Sequence, residues 1–486
     1  MGQSDAVRVE QGTPTSTLEK TLEQPSPPYS AFPQSTRRLI LFAVTCAGFF
    51  GPLAGAVYLP AIPLFSSIFH TEDDVISATV SVYMAIFAVS NSQPLAWGAF
   101  ADHKGRRPVY LVSLAIFILA NIILAAVPAN IGALFVLRTF QAMGSSAVAS
   151  VGAGTVADIV EPSKRASALS IFFLGPQLGP VLGPLIGGQF AAPERWRWSF
   201  GFLAIGTSIV YVLIVVCLPE TLRALVGNGQ GSVANSAGRW KIPPFIQPPT
   251  VDPSVKRPQK PSLKLSFTLL CYVPNLIITC SGAIQFAALY CILVSFTRMW
   301  KTLYGYTEAE AGYAYLCPGV LLIVGSLASG KVSDWWRARA IKASPTGKVP
   351  PESRIILQTF GYALAAAGLL MFGWFCEHRI HPAAVMIASA IGAFGMGWVF
   401  VTTTSYQTEC YPSYGASLVA LGQMMRNIGG AIAAVVIQPL IEAMGYGWCF
   451  TGLSILTFSC IFGVIYLRFT GDSWRKKLDE RTRARS

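Results

Sequence analysis

Residues 109–127 read Val109-Tyr-Leu-Val-Ser-Leu-Ala-Ile-Phe-Ile-Leu-Ala-Asn-Ile-Ile-Leu-Ala-Ala-Val127, a run without a charged side chain. A helix that crosses a bilayer needs about 20 mostly apolar residues, so this run predicts a membrane-spanning helix. Similar runs follow one another along the whole chain of 486 residues, which is 53% hydrophobic and only 12% charged. Soluble globular proteins carry about 25% charged residues. The composition therefore excludes a soluble enzyme and a disordered chain, and it predicts an all-α membrane protein.

Twelve apolar segments long enough to span the membrane can be placed on the sequence. They cover residues 39–60, 75–97, 109–127, 131–154, 166–190, 198–218, 266–295, 311–330, 355–375, 382–405, 415–438 and 448–467. A polar stretch rich in proline and lysine separates the sixth segment from the seventh, as expected for a linker between two bundles. The predicted organisation is a disordered cytosolic tail over 1–38, a six-helix bundle over 39–218, a cytosolic linker over 219–265, a second six-helix bundle over 266–468 and a basic cytosolic tail over 469–486.

The distribution of basic residues predicts the orientation of the chain. If the N-terminus lies inside the cell, 29 of the 36 lysines and arginines fall in cytosolic segments and only five fall in outside loops. Loops rich in lysine and arginine stay on the cytosolic side of a membrane, so both termini are expected in the cytosol. The formal net charge of +13 then reflects orientation and attraction to the anionic lipid bilayer. A nucleic-acid partner is not needed to explain it.

The two halves of the chain repeat each other weakly. Gly98-x-x-x-Asp102 after the second segment is echoed by Gly330-x-x-x-Asp334 after the eighth, and a Pro-Ser-x-x-Ala-Ser motif precedes both the fifth and the eleventh. Parallel repeats of six helices, related by an axis along the membrane normal, are the architecture of alternating-access transporters, whose substrate site lies between the repeats. The sequence therefore predicts two pseudo-symmetric six-helix bundles.

The loop after the second segment reads Gly98-Ala-Phe-Ala-Asp102-His-Lys-Gly105-Arg106-Arg107-Pro108. It closely resembles the signature loop of the major facilitator superfamily, with phenylalanine at position 100 where leucine is common and histidine at 103 where a basic residue is common. The resemblance implies the twelve-helix fold of that superfamily and a gate. An acidic side chain there can complement the positive N-terminal end of a helix from the other bundle. Ordinary positive-inside charge is the alternative explanation. The expected gating residues are Gly98, Asp102, Gly105, Arg106, Arg107 and Asp334.

Arg138 lies well inside the fourth segment. The pattern Leu137-Arg138-x-x-Gln141-x-x-Gly144 resembles the arginine-bearing fourth-helix motif of proton-coupled members of the superfamily. An arginine inside the bilayer costs at least about 2.5–3.5 kcal/mol, so such a residue is usually functional. Asp158, near the cytosolic end of this helix, matches an acidic residue that the family often carries there. Arg138 and Asp158 are therefore the expected proton-coupling residues. The alternative is a structural arginine that Gln141 and backbone carbonyls satisfy.

The fifth segment carries glycine and proline at every fourth position. The residues are Gly175, Pro176, Gly179, Pro180, Gly183, Pro184, Gly187 and Gly188. Glycines at this spacing share one helix face, which lets two backbones pack closely, while the prolines loosen the hydrogen-bond ladder. The pattern resembles the fifth-helix motif of the antiporter branch, and the stretches at 196–200 and 218–222 resemble fungal drug:proton antiporters with twelve helices. The alternative is a packing seam without a role in transport.

The embedded charge is confined to Arg138 and Arg426, because all 23 acidic residues and all four histidines fall outside the predicted helix cores. A positively charged cavity favours an anion or a neutral molecule over a cation. Arg426 can grip a carboxylate through two parallel hydrogen bonds. The alternative for Arg426 is a polar network that stabilises the bundle. The expected substrate-binding residues are Arg138, Gln141, Gln177, Gln423, Arg426 and Asn427.

Other functional classes lack their signatures. The sequence has no Gly-x-x-x-x-Gly-Lys-Ser/Thr phosphate loop and no catalytic motif, and its ten cysteines are scattered singly. We therefore predict no enzyme, no metal and no cofactor, but a monomeric secondary transporter of the plasma membrane that exports small organic molecules by proton antiport and alternating access. The resemblance favours drug-like compounds, whereas the arginines favour a weak organic acid or a neutral compound. A dedicated exporter of di- or tricarboxylates and a non-transporting membrane sensor with this fold are the alternatives.

Overall fold

The computed structural model describes residues 29–91, 97–161, 165–226, 268, 270–343, 350, 352–410 and 415–483. Nearly all of these residues are helical. Within these ranges, eleven helical segments are long and apolar enough to cross a membrane. Most of the predicted N-terminal tail and most of the predicted linker lie outside the described residues.

The first bundle contains six membrane helices in the described part of the chain. They are α1 (Gln34–Ala56), α2 (Asp73–Asn91), α3 (Arg106–Ala126), α4 (Ile131–Ile159), α5 (Arg165–Phe190) and α6 (Arg197–Cys217). Shorter helical pieces lie between and after them, at Leu59–Ala61, Ile62–Ile68, Trp97–Lys104 and Arg223–Val226. Inside this bundle α1 packs on α5, α2 packs on α4, and α3 packs on both α4 and α6.

The second bundle begins with four separate membrane helices. They are α7 (Val273–Tyr304), α8 (Leu316–Ala343), α9 (Leu357–Glu377) and α10 (Pro382–Cys410), accompanied by the short helices Glu308–Ala314 and Glu352–Ile355. Within this bundle α8 packs on α10, and α9 packs on α10 and on the last helical stretch.

That last stretch, Gly415–Arg483, is broken at Gly445, where φ is 75° and ψ is 170°. Such a backbone conformation favours glycine, because a side chain would strain it. We number the two parts α11 (415–444) and α12 (446–483). The Glu377 carboxylate at the end of α9 accepts a hydrogen bond from the backbone N–H of Gly447 at 3.1 Å, which satisfies a free donor at the start of α12. With this division the described residues contain the twelve membrane helices that the sequence predicts.

Several helices begin or end away from their predicted bounds, and α1, α4 and α7 are examples. α1 begins at Gln34 rather than at residue 39, and α7 covers Val273–Tyr304 rather than 266–295. α4 continues to Ile159 rather than ending at 154, so Asp158 lies in its last turn. A hydropathy pattern registers only the apolar core of a helix, whereas polar end residues stay helical where they reach water or a partner.

α12 also continues further than predicted, through most of the stretch expected to be a basic tail. Asp472 pairs with Arg475 at 2.6 Å and with Lys476 at 2.8 Å, contacts that join successive turns of the same helix. Arg475 also reaches the buried carboxylate of Glu352 at 3.4 Å. These charged contacts explain why the helix continues beyond its apolar segment.

The two bundles meet along two helix pairs, α2 with α11 and α5 with α8. We call the face that carries the start of α1 and the end of α12 the terminal face, and the other the opposite face. At the opposite face Arg298, near the end of α7, pairs with Glu442 of α11 at 3.1 Å and lies 3.9 Å from Asp73 of α2. Arg298 therefore links the two bundles at this face.

The glycines of α5 lie directly against α1. A Cβ atom at Gly175 would come within 2.2 Å of the Thr45 carbonyl oxygen, and one at Gly187 within 1.9 Å of the Val57 carbonyl oxygen. The two glycines between them are packed in the same way. The backbones of α1 and α5 are therefore in direct contact along the face that the four-residue spacing predicts.

Candidate functional site

A cavity of about 1000 Å³, including the open space at its mouth, lies between the two bundles. Helices α1, α2, α4 and α5 line it from the first bundle, and α7, α8, α10 and α11 line it from the second. Most of its wall is apolar, and the described aromatic residues on it are Tyr83, Phe87, Phe286, Tyr290 and Phe400. Such a wall suits a ligand with apolar and aromatic parts. Sequence analysis missed these rings, because aromatic residues are common in membrane helices and their spacing does not show which ones line a cavity.

Arg426 is the only charged side chain among the described residues of the wall. Its Nε donates to the side-chain oxygen of Gln423 at 2.8 Å, and its Nη2 donates to the same oxygen. Its guanidinium lies 4.8 Å from the centre of the Phe400 ring. Asn427 donates to the backbone carbonyl of Gln423 at 2.8 Å. The structure therefore brings three of the predicted substrate-binding residues together on one turn of α11, at the cavity wall.

The Arg426 guanidinium is buried without a counter-charge. Only 3% of the residue is exposed, and no carboxylate pairs with it within the part of the chain that the structure describes. A charge in low-dielectric surroundings is costly unless a partner compensates it. An anionic group at this position would compensate the charge, whereas a cation would meet electrostatic repulsion.

Arg138 and Gln141 lie inside the first bundle rather than on the cavity wall. Arg138 Nη1 donates to the Ala54 carbonyl at 3.0 Å and to the Gln141 side-chain oxygen at 2.9 Å. The Gln141 amide in turn donates to the Asn121 side-chain oxygen at 2.7 Å. This network ties α4 to α1 and α3, whereas Arg138 Nε and Nη2 are buried without a hydrogen-bond partner in the described residues.

Two tyrosine rings enclose Arg138. Its guanidinium carbon lies 4.5 Å from the centre of the Tyr58 ring and 4.7 Å from that of Tyr83. The Tyr83 hydroxyl donates to the Gly51 carbonyl at 2.7 Å, which fixes the ring. Because Tyr83 also lines the cavity and Arg138 does not, the Tyr83 ring lies between Arg138 and the cavity. The described wall therefore holds one guanidinium, not the two that the sequence predicts.

Besides the α11 residues and the tyrosines, four neutral polar side chains lie on the wall: Gln177 of α5, Gln285 of α7, Ser326 of α8 and Thr403 of α10. The sequence predicts the first of them as a substrate contact and does not predict the other three. A glutamine inside the apolar stretch of α7 is a signal that could have found Gln285, since polar residues in membrane helices usually face protein or a cavity.

Asp158 lies at the terminal end of α4 and is not part of the cavity wall. Its carboxylate pairs with Arg106 Nε at 3.2 Å, and both side chains are largely buried. Arg138 belongs to a different network, nearer the other end of the same helix. The structure therefore separates the two residues that the sequence predicts to couple protons.

The signature loop is held by an acidic residue from the end of α6. The Glu220 carboxylate accepts hydrogen bonds from the backbone N–H groups of Arg106 at 2.8 Å and of Arg107 at 3.2 Å, where it complements the N-terminus of α3. Gly105 just before α3 has a φ of 106°, and a Cβ atom there would lie 2.3 Å from this carboxylate. The loop therefore requires glycine at this position, for both its backbone conformation and its space. In the sequence Glu220 belongs only to the stretch 218–222 that resembles fungal antiporters. Its contact with the start of α3 becomes visible only in the folded structure.

The remaining residues that the sequence predicts to form a gate lie on the terminal face. Gly98 and Asp102 are on the short helix Trp97–Lys104, and their side-chain positions fall outside what the structure describes. In the second bundle Asp334 accepts a hydrogen bond from Arg354 at 3.0 Å. Ion pairs therefore occur on the terminal face of both bundles.

Comparison with known sequences agrees with this architecture. A family model described as Major Facilitator Superfamily matches residues 44–434, from α1 into α11. The chain belongs to the Major Facilitator Superfamily. The match spans both bundles, so it includes every helix that lines the cavity.

Individual relatives show the branch of the superfamily. Dityrosine transporter 1 of Saccharomyces cerevisiae is 40% identical to this chain, over 90% of the chain and 81% of that protein. Multidrug transporter DTR1 of Candida glabrata is 37% identical, over 92% of the chain and 87% of that protein. The solved structure of a D-xylose–proton symporter has the same fold, with a TM-score of 0.65 at 14% identity over 88% of this chain and 97% of that one.

These comparisons confirm three predictions. The chain is a major facilitator protein of the drug:proton antiporter family, it has the twelve-helix fold, and it is a transporter rather than an enzyme. It is therefore a multi-pass membrane protein that transports small molecules.

Proposed function

We propose that this major facilitator protein exports apolar and aromatic organic acids, and neutral compounds of similar shape, by proton antiport. The observation that carries the proposal is the cavity between the bundles, whose aromatic and apolar wall surrounds the guanidinium of Arg426. A site between two bundles supports transport by alternating access, in which the bundles rock around the bound substrate. In this proposal the protein is a monomer of the plasma membrane, and the basic terminal face lies in the cytosol.

The single guanidinium favours a monovalent anion over a di- or tricarboxylate. A second carboxylate would enter a low-dielectric space in which the described wall offers no second cation, and this would be costly. The rings on the wall can pack against an aromatic part of the substrate. Relatives named as dityrosine and multidrug transporters support an aromatic or drug-like substrate. Gln177, Gln423, Arg426 and Asn427 are the predicted substrate contacts that the proposal keeps.

Proton coupling is proposed at the terminal end of α4, because no carboxylate lines the described part of the cavity. The Asp158 carboxylate is largely buried and paired with Arg106, so its protonation would weaken that pair and release the signature loop. Arg138 would keep its charge throughout, because arginine does not lose its proton in proteins. A proton carried by the substrate itself is the alternative coupling.

The gate is proposed on the terminal face, where the signature loop and the related Gly330-x-x-x-Asp334 motif of the second bundle lie. The ion pairs Arg106–Asp158 and Asp334–Arg354 support this proposal, because each joins neighbouring elements of one bundle and can change as the bundles rock.

Uptake of radiolabelled aromatic acids into inverted membrane vesicles tests the proposed function. Uptake should require a proton gradient, stop when an ionophore collapses that gradient, and proceed without ATP. Uptake that survives the collapse but needs ATP would refute the proposal. A purified protein that binds the acids and moves none would instead identify a sensor.

Asp158→Asn tests the proposed coupling residue in the same vesicles. The variant should lose proton-dependent uptake while the amount of folded protein stays near normal, because asparagine keeps the size but cannot carry a titrating proton. Full proton-dependent uptake by this variant would assign the coupling to the substrate.

A further inference from the structure

Four buried side-chain atoms on the cavity wall have no hydrogen-bond partner in the described protein, and they belong to three residues. Both amide atoms of Gln285 lack a partner although the residue is only 5% exposed, and the buried side-chain oxygens of Gln177 and Thr403 also lack one. All three residues line the same cavity, from α7, α5 and α10. The wall therefore presents unused donors and acceptors besides its one charge.

The glutamines beside the two embedded arginines differ from Gln177 and Gln285, because their side-chain oxygens have hydrogen-bond partners. Gln141 accepts from Arg138 and donates to Asn121, and Gln423 accepts from Arg426. A buried polar group that is left without a partner lowers a folding or binding constant about tenfold or more. Polar atoms of this kind on a cavity wall are open to a group that arrives with the ligand, which can form the hydrogen bonds that the described protein does not supply.

Gln177 and Gln285 come from opposite bundles. On α5, Gln177 lies between Pro176 and Pro180, which line the same cavity. On α7, Gln285 lies one turn after Gly282, whose missing side chain leaves room beside Arg426: a Cβ atom there would be 3.7 Å from Arg426 Cγ. The two amides therefore line the cavity that also holds the Arg426 guanidinium, and the helix that carries Gln285 passes directly beside Arg426.

We infer that Gln177 and Gln285 form a specificity site for a neutral hydrogen-bonding group of the substrate, on a molecule whose carboxylate Arg426 holds. This inference rests on the proposed export of organic acids through the cavity. A carboxamide side chain offers one acceptor and an uncharged donor, so it matches a ligand carboxamide or hydroxyl group. A site built to hydrogen-bond such a group rejects an analogue that lacks it, because its own polar atoms are then left unpaired. The substrate class is thus an aromatic monocarboxylate that also carries a carboxamide or hydroxyl group.

Two ligands of similar shape test this inference by binding to the purified full-length protein in lipid nanodiscs. Para-carbamoylbenzoate carries a carboxylate and a carboxamide, and para-isopropylbenzoate replaces the carboxamide by an apolar group. The wild-type protein should bind the first ligand about tenfold more tightly or better. Equal affinities, or binding of neither ligand, would overturn the inference.

Substitutions test whether the side-chain amides of Gln177 and Gln285 cause the difference in affinity between the two ligands. Gln285→Leu and Gln177→Leu should each bring the affinity ratio of the two ligands close to one. The matched control is Gln358→Leu, because Gln358 on α9 is also buried with two unpartnered amide atoms but does not line the cavity. This control should keep the wild-type ratio. A wild-type ratio in both leucine variants at the cavity would overturn the inference.

Both affinities are measured on the same variant, so a partial loss of folded protein affects them equally and leaves their ratio unchanged. If a leucine variant does not fold, the shorter amide in Gln285→Asn or Gln177→Asn replaces it and should reduce the ratio, while an unchanged ratio counts against the inference. Transport in proteoliposomes separates the inference from the proposed function. Discrimination in binding without proton-driven transport would refute the function alone, and proton-driven transport of both acids without discrimination would refute the inference alone.

Discussion

The two arginines inside the membrane make the same local contact in opposite surroundings. Arg138 donates to Gln141 and Arg426 donates to Gln423, in each case a glutamine three residues away on its own helix. Around Arg138 the first bundle is closed, with tyrosine rings on two sides of the guanidinium. Around Arg426 the second bundle opens onto the cavity. The same residue pair therefore lies enclosed within one bundle and beside the cavity in the other.

The neighbouring helix decides between these two roles. Tyr83 of α2 covers Arg138 on the side of the cavity, whereas Gly282 of α7 stands beside Arg426 and has no side chain to cover it. An embedded arginine can thus reach a ligand only where the neighbouring helix leaves its guanidinium uncovered. Substitutions beside the enclosed Arg138 and beside the cavity-lining Arg426 should therefore differ in their effects.

The largest expected effect on stability is that of Gln141→Leu. This change removes a hydrogen bond to the buried Arg138 guanidinium and leaves the Asn121 side-chain oxygen without its donor. A hydrogen bond to a charged group contributes about 1.5–3 kcal/mol, so the free energy of unfolding in nanodiscs should fall by at least that amount.

The matched variant is Gln423→Leu, which removes the corresponding partner of Arg426. Because Arg426 borders the cavity, water or ligand can replace the lost contact, and stability should change by less than about 1 kcal/mol. Equal losses of stability in the two variants would mean that the two arginines do not differ as described.

A smaller effect is expected for Gly187→Ala, which tests how tightly the closed bundle is packed. The added Cβ atom would meet the Val57 carbonyl oxygen of α1 at 1.9 Å, so the two helices must move apart. Overpacking of this kind costs about 1–3 kcal/mol of unfolding free energy. Gly452→Ala is the control, since a Cβ atom there meets nothing within 4 Å and alanine favours the helix. Tolerance of both changes would show that α1 and α5 are less closely packed than their glycines indicate.

The smallest effect is expected for Arg298→Ala at the opposite face. Arg298 pairs with Glu442 at 3.1 Å and lies 3.9 Å from Asp73, but its side chain is 38% exposed. Partly exposed ion pairs contribute about 0.2–1 kcal/mol and are screened by salt. The unfolding free energy of the wild-type protein should therefore approach that of the variant as salt is raised. A salt-independent loss as large as that of Gln141→Leu would give Arg298 a buried structural role instead.

The sequence predicts the parts of this structure that depend on one helix at a time. The membrane helices follow from long apolar runs, and Gln423, Arg426 and Asn427 come together because they share a turn of α11. The sequence could not separate Arg138 from the cavity, because Tyr83 covers it from α2 and the rotation of both helices is set by packing. It missed Gln285 for the same reason, since nothing within α7 alone shows which face borders the other bundle. Contacts between helices therefore account for most of what the structure adds.

Charge selectivity in proteoliposomes tests the central claim most directly. Purified protein is reconstituted with a proton gradient, and transport of para-isopropylbenzoate is compared with that of benzyltrimethylammonium, for the wild-type protein and for Arg426→Ala. The wild-type protein should carry the acid and exclude the cation, and Arg426→Ala should reduce transport of the acid about tenfold or more, the value of a lost charge-assisted contact. Selective transport of the cation, unchanged by Arg426→Ala, would contradict the account.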